Sequence, residues 1–142
     1  MPADVLFLCP HHAAKSVIAA ATFNRLAQQS GLHLTVDSAG TEPSEAVMPV
    51  VVTLLRNEGI DVSQHQPRRV TVEELETAGR IISMGCSAEE LGLGATRRAD
   101  RIEHWNDVPP VSQDPDGARD AIRTHVKRLI VELIDKGVFQ MS

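Results

Sequence analysis

Apolar positions follow two rhythms along this chain, short runs with strand character and longer stretches with a helical repeat, and the two alternate. Val5-Leu6-Phe7-Leu8 is a four-residue apolar run, read as a buried strand. Residues 13 to 30 then carry Val17, Ile18, Ala21, Phe23, Leu26 and Ala27 at helical spacing, and Gly31 stops the helix. Leu32 to Ser38 is short and alternating, a second strand turned by Ala39-Gly40-Thr41-Glu42-Pro43. Glu45 to Glu58 places Val47, Val50, Val51, Leu54 and Leu55 on one face of a helix that ends at Gly59.

The second half repeats the alternation. Residues 60 to 69 are polar and broken by Pro67, so they form a connection. Thr71 to Thr77 is a short helix with Thr71 as N-cap and Glu74 at the capping-box position. Arg80 to Met84 is a third strand ended by Gly85-Cys86, Ser87 to Leu91 begins another short helix, and Arg98 to His104 is a fourth strand. Residues 106 to 117, rich in proline and aspartate, form a long loop before an amphipathic helix from Ala118 to Lys136 through Ile122, Val126, Leu129, Ile130 and Leu133.

Strands separated by helices imply right-handed crossovers and a parallel sheet covered on both faces, hence a three-layer α/β fold. No repeat, low-complexity tract or linker divides the chain, so residues 1–142 are expected to form one domain. Ligands of such sheets sit at the carboxyl ends of the strands, where Cys9, Gly40, Gly85 and Asp107 would all emerge.

Composition narrows the possible partners. The formal net charge of -5 argues against nucleic acid, whose backbone wants a basic face. No apolar run approaches the ~20 residues of a membrane span, and Val5 to Leu8 is too short for the apolar core of a secretory signal. A cytoplasmic protein is expected. Its 2 cysteines, Cys9 and Cys86, are then reduced, catalytic or buried rather than a structural disulfide. A metal site from Cys9, His11, His12 and Cys86 is conceivable, but adjacent histidines on a tight turn rarely converge on a tetrahedral ion, so neither metal nor other cofactor is expected.

The chemistry concentrates in Cys9-Pro10-His11-His12-Ala13-Ala14-Lys15-Ser16, where a thiol sits between a strand end and a helix start. The first-turn N–H groups of a helix have no intrahelical partner, and the dipole adds partial positive charge, so such a turn binds anions. The same field favours thiolate over thiol. A nucleophile, Cys9, and an oxyanion cradle, Pro10 to Lys15, share one loop. The ordinary alternatives are a small buried hydrophobe for Cys9, a solvated cation for Lys15 and a first-turn cap for Ser16. Lys15 would be slightly disfavoured by the dipole if it were merely solvated, and its spacing from Cys9 suits an ammonium facing a ligand.

Cys9-x5-Lys15-Ser16 resembles the Cys-x5-Arg-Ser signature of the low-molecular-weight protein tyrosine phosphatases and of the thiol-coupled arsenate reductases that share their fold, with lysine in place of arginine. The resemblance extends through Asp37-Ser38-Ala39-Gly40-Thr41, Gly59-Ile60-Asp61 to His65, Met84-Gly85-Cys86 and His104-Trp105-Asn106-Asp107. It implies four parallel strands in the order 2-1-3-4, Ser38 as support for the loop, and Ser16 as a donor to the sulfur. His11 and His12 stand where the family usually has Gly and Asn, and histidine is among the residues tolerated in left-handed backbone.

The activity implied first is hydrolysis of a phosphate monoester through a phosphocysteine on Cys9, with loop amides and Lys15 stabilising charge. Asp107 is favoured over Asp114 as the acid that protonates the leaving oxygen, although Asp114-Pro115 is the Asp-Pro dipeptide the family usually shows. The second reading is arsenate reduction, with Cys86 as resolving thiol or with an external low-molecular-weight thiol or thioredoxin-like reductant. A third is a non-catalytic protein that holds phosphate, arsenate or sulfate, because a lysine clamps less firmly than the arginine fork it replaces. No tyrosine occurs in the chain, so the family's aromatic wall for an aryl phosphate must be built differently.

Overall fold

The computed structural model describes residues 3–11, 13–86 and 102–136. Four strands, β1 (Val5–Leu8), β2 (Val36–Ala39), β3 (Arg80–Ser83) and β4 (Ile102–His104), pair in parallel in the order β2-β1-β3-β4. Between and after them run α1 (Lys15–Gln29), α2 (Pro49–Arg56), α3 (Val72–Thr77) and α4 (Pro115–Asp135). This is the expected three-layer architecture and strand order. The helix expected at Ser87 to Leu91 and the start of the fourth strand lie outside the described residues.

The central strand explains the layering. All four residues of β1 are buried, and the pleat sends them alternately to two cores. Val5 and Phe7 join Val17, Ile18 and Phe23 of α1 and Ile122, Val126 and Leu129 of α4 on one side. Leu6 and Leu8 join Leu75 of α3, Ile81 and Ile102 on the other. Phe7 anchors the larger core through edge contacts with Phe23, centroids 6.0 Å apart, and with Trp105 at 5.6 Å.

Three boundaries differ from expectation, each for a local reason. β2 begins at Val36 rather than Leu32, because Asp4 takes the backbone just before it: its carboxylate accepts from Thr35 N–H at 2.8 Å. α2 begins at Pro49, a residue suited to a first helical position, rather than at Glu45. The residues ahead of it bond instead to the loop after β1, through Glu42 N–H to Pro10 O, Ser44 N–H to His11 O and Met48 N–H to Ala13 O at 2.7, 2.9 and 3.0 Å. α4 begins at Pro115 because Asp114 caps it, accepting from Gly117 N–H at 2.9 Å.

α3 has the expected capping box, with Thr71 Oγ1 accepting from Glu74 N–H and Glu74 accepting from Thr71 N–H. Glu74 also receives both prongs of Arg68, at 2.7 and 2.5 Å. The Arg68 guanidinium holds its carboxyl below the usual carboxylate range, with the Thr71 bonds adding to the effect. A carboxyl with a depressed folded pKa stabilises the fold above its unfolded value and loses that contribution as pH falls through the folded one. Glu74→Gln, which keeps the capping box but removes the charge facing Arg68, should therefore lower the unfolding free energy by roughly 0.5–1 kcal/mol at neutral pH, the worth of a partly exposed ion pair. In melting curves taken down a pH series, the gap between the two proteins should close in acid.

Candidate active site

The loop after β1 starts in the sheet, with Cys9 N–H donating to Ala39 O, and ends in the first turn of α1. Its N-cap is Ala14, among the poorest residues for that place, and no side chain caps the helix. Leaving out a serine or aspartate cap costs about 1 kcal/mol. Burying each large side chain such as Ile18 or Phe23 contributes roughly 1.5–3 kcal/mol, so the helix forms regardless. The orphan first-turn donors are left for the sulfur and for a ligand: Ser16 N–H reaches Cys9 Sγ at 3.4 Å, and Ser16 Oγ lies 3.0 Å from the same sulfur.

The orientation of the loop peptides follows from the brace described above. Carbonyls of Pro10, His11 and Ala13 accept from the N–H groups of Glu42, Ser44 and Met48, and His11 Nδ1 adds a 3.0 Å contact to Glu42 O. In a trans peptide the next N–H points the opposite way, so the N–H of His11 and of Ala14 face away from these partners. Beside the loop is a cavity of about 310 Å³ lined by Cys9, the loop residues Pro10, His11, Ala13, Ala14 and Lys15, and others that include Ser44, Met48, Met84, Val111 and Ser112. Cys9, the loop that follows it and Lys15 thus line one concavity. Gly85 closes the loop's flank with φ of +110°, and a Cβ there would stand 3.3 Å from Pro10 Cδ.

Of the residues singled out by sequence, the structure gathers Cys9, Pro10, His11, Ala13, Ala14, Lys15 and Ser16. His12 lies outside the described residues. Ser38 is buried beside β1, opposite Phe7, next to Ala39 whose carbonyl holds Cys9 N–H. It lines a different cavity, of about 520 Å³, between α1 and the residues 60–65.

Cys86 does not join the site. Its side chain packs with Leu6 and Leu8 in the core across the sheet from that of Cys9, its backbone is held by Ser83 Oγ, and Thr41 Oγ1 is 3.8 Å from its sulfur. The two candidate acids are also elsewhere. Asp114 is occupied as the cap of α4. Asp107, its side chain 71% exposed, bonds His125 Nε2 at 2.7 Å and is absent from the cavity lining. That hydrogen bond holds its carboxyl below the usual range, so in this conformation it is ionised at neutral pH. His125 in turn stacks on Trp105, ring centroids 4.6 Å apart.

Two functional elements escaped the sequence reading. The brace Glu42–Met48 looked like a turn followed by helix, and Pro43 and Pro49 at its ends were the signal that it is neither. The second is His125, which the sequence does not single out, since nothing in its spacing links it to Asp107.

Residues 4–116 match the profile of the family Low molecular weight phosphotyrosine protein phosphatase. A Halobacterium salinarum protein that carries the name of a candidate arsenate reductase is 30% identical over 132 residues, 92% of this chain and 89% of its own length. The low molecular weight protein tyrosine phosphatase of T. tengcongensis superposes with a TM-score of 0.73 at 26% identity, over 93% of this chain and 97% of that one. The thioredoxin-dependent arsenate reductase of Corynebacterium glutamicum gives 0.73 at 23% identity, over 96% of this chain and 64% of that one, a likeness of fold. These matches are to enzymes, and they lend no support to a protein that binds oxyanions without catalysis. The chain belongs to the low molecular weight phosphotyrosine protein phosphatase family.

Proposed function

We propose that the protein hydrolyses a phosphate monoester through a phosphocysteine on Cys9. The observation that carries this reading is the Cys9 sulfur at a helix start without a side-chain cap, contacted by Ser16, on a residue that lines the same cavity as the loop that follows it. In the cycle, Cys9 Sγ attacks phosphorus and the bond to the leaving oxygen breaks. Loop N–H groups and the Lys15 ammonium hold the equatorial oxygens, and Ser16 stabilises the sulfur as it later departs. Water then hydrolyses the phosphocysteine to inorganic phosphate.

Asp107 remains the proposed acid. It precedes Val111 and Ser112, which reach the cavity rim; to act it would have to leave His125, whose hydrogen bond keeps it ionised, take up a proton from solvent and give that proton to the leaving oxygen. The cytoplasm, where thiols stay reduced, suits a reactive free cysteine.

Arsenate reduction is a second reading, favoured by the Halobacterium relative's name. Here the Cys9–arsenate adduct is attacked by another thiol, arsenic takes up two electrons, arsenite leaves and a disulfide with Cys9 forms. Because Cys86 packs across the sheet from Cys9, that thiol would come from a small molecule or a thioredoxin-like protein.

Purified protein should hydrolyse p-nitrophenyl phosphate, and Cys9→Ser should abolish the activity while Cys86→Ser leaves it. Loss of arsenite release, but not of phosphate release, on omitting added thiol would separate the two reactions. Equal activity in Cys9→Ser would end the proposal. Asp107→Asn should lower kcat by about 10²-fold or more on phenyl phosphate, the range for removal of a general acid, and much less on p-nitrophenyl phosphate, whose leaving group needs little help. Iodoacetamide should label Cys9 in the native protein and Cys86 only after unfolding, as peptide mass mapping would show, with inorganic phosphate protecting Cys9.

A further inference from the structure

We propose that Lys15 has a second task, as the latch that ties the segment 107–112 over the Cys9 cavity, and that this latch and a bound oxyanion share one ammonium. The inference rests on the reading of the cavity as an oxyanion site. Its own support is a contact 93 residues apart in sequence: Lys15 Nζ donates to Val108 O at 3.0 Å, partly buried.

The segment is fixed at both ends. Trp105 N–H donates to Ser83 O at 2.9 Å, and its ring is held between Phe7 and His125. At the far end, Gln113 and Asp114 N–H both donate to Pro110 O, and Asp114 caps α4. Between these anchors, Val108 and Val111 are buried, and Val111 and Ser112 form part of the cavity rim. Pro109 and Pro110 stiffen the run and restrict Val108 to extended backbone, so its carbonyl has a fixed aim. Lys15 ties the middle of this segment to the loop after β1.

An ammonium has three donors and no acceptor, and they radiate in different directions. With one donor on Val108 O, the others remain for the cavity that Lys15 lines. A guanidinium directs its paired donors at two oxygens of one group, whereas a lysine divides readily between acceptors on opposite sides. A dianion entering the loop would hold the ammonium in place and with it the carbonyl. By linkage, the closed segment must raise affinity for the anion by the same factor that the anion favours closure. Lys15 is therefore a positioning residue for the wall that carries Val111 and Ser112, besides its proposed contact with the anion.

The test uses inorganic phosphate with the wild-type chain and Lys15→Met, with Lys15→Gln as a second variant should the first fail to fold. Binding is measured by calorimetry, and amide hydrogen exchange is followed by mass spectrometry in the peptide spanning residues 105–114, each protein compared at equal phosphate saturation. In the wild type, phosphate should slow exchange at these amides by about tenfold, the effect of firming one charge-assisted hydrogen bond. In the variant, exchange should already be faster without phosphate and should not respond to it, although the loop amides still bind the anion more weakly. An equal response in the variant, or phosphate binding without any response in the wild type, overturns the latch and leaves the oxyanion site standing. Absence of phosphate binding to the wild type, with Cys9 unprotected from iodoacetamide, overturns the oxyanion reading and the latch with it.

Discussion

The candidate site depends on one constraint, the anchoring of the carbonyls in the loop between β1 and α1 by the segment Glu42–Met48. A tight turn of peptides can present either oxygens or N–H groups to its concave side, and only the second arrangement suits an anion. Here Glu42, Ser44 and Met48 N–H groups engage the oxygens of Pro10, His11 and Ala13, and the geometry of the peptide bond then turns the following N–H groups away from that brace. Release of that brace would let the loop flip and would present the Cys9 sulfur with carbonyl dipoles of the wrong sign.

The brace in turn explains why α2 is short and α1 starts unassisted. Residues 45 to 48 have the apolar spacing to extend α2 toward its N-terminus, yet Ser44 and Met48 N–H groups at the two ends of that stretch are engaged with the loop after β1, so local propensity yields to a tertiary hydrogen-bond demand. Ala14 as N-cap shows the same priority from the other side. A serine there would satisfy a first-turn N–H and shield it from a ligand. Each departure from the best local choice lies within the loop or next to it, where local compromise is expected of a functional site.

Much of this was legible in the sequence, and the reason is that the legible parts are governed by short-range periodicity. The four apolar residues of β1, the helical repeat of α1 and the Thr71–Glu74 capping box declare themselves within a few positions. The strand order came from the resemblance of the Cys9-x5-Lys15-Ser16 loop and its companion motifs. What stayed hidden depends on partners far apart in the chain: Lys15 with Val108, Asp107 with His125, Met48 with Ala13. The opposite placement of Cys9 and Cys86 was hidden for another reason, since the pleat parity of residues after β3 is reset by the turn at Gly85.

The lysine at position 15 makes better sense in this setting than as a weakened arginine. An arginine would direct a rigid fork at the anion, and the carbonyl of Val108 would need another donor. With Pro109 and Pro110 following it, that carbonyl belongs to a stretch that two prolines deprive of backbone N–H groups. On the proposed reading the compact ammonium answers both needs from one position, bonding Val108 O and leaving donors for an anion. The trade would be weaker planar recognition of an oxyanion for a mechanical link between the loop that would hold it and the segment 107–112. Substrate selection in such a site would come from how the covering segment fits around the bound group as well as from the grip on the phosphate. Met48, Met84 and Val111 along the rim, adaptable and without aromatic rings, are the side chains that would make that fit.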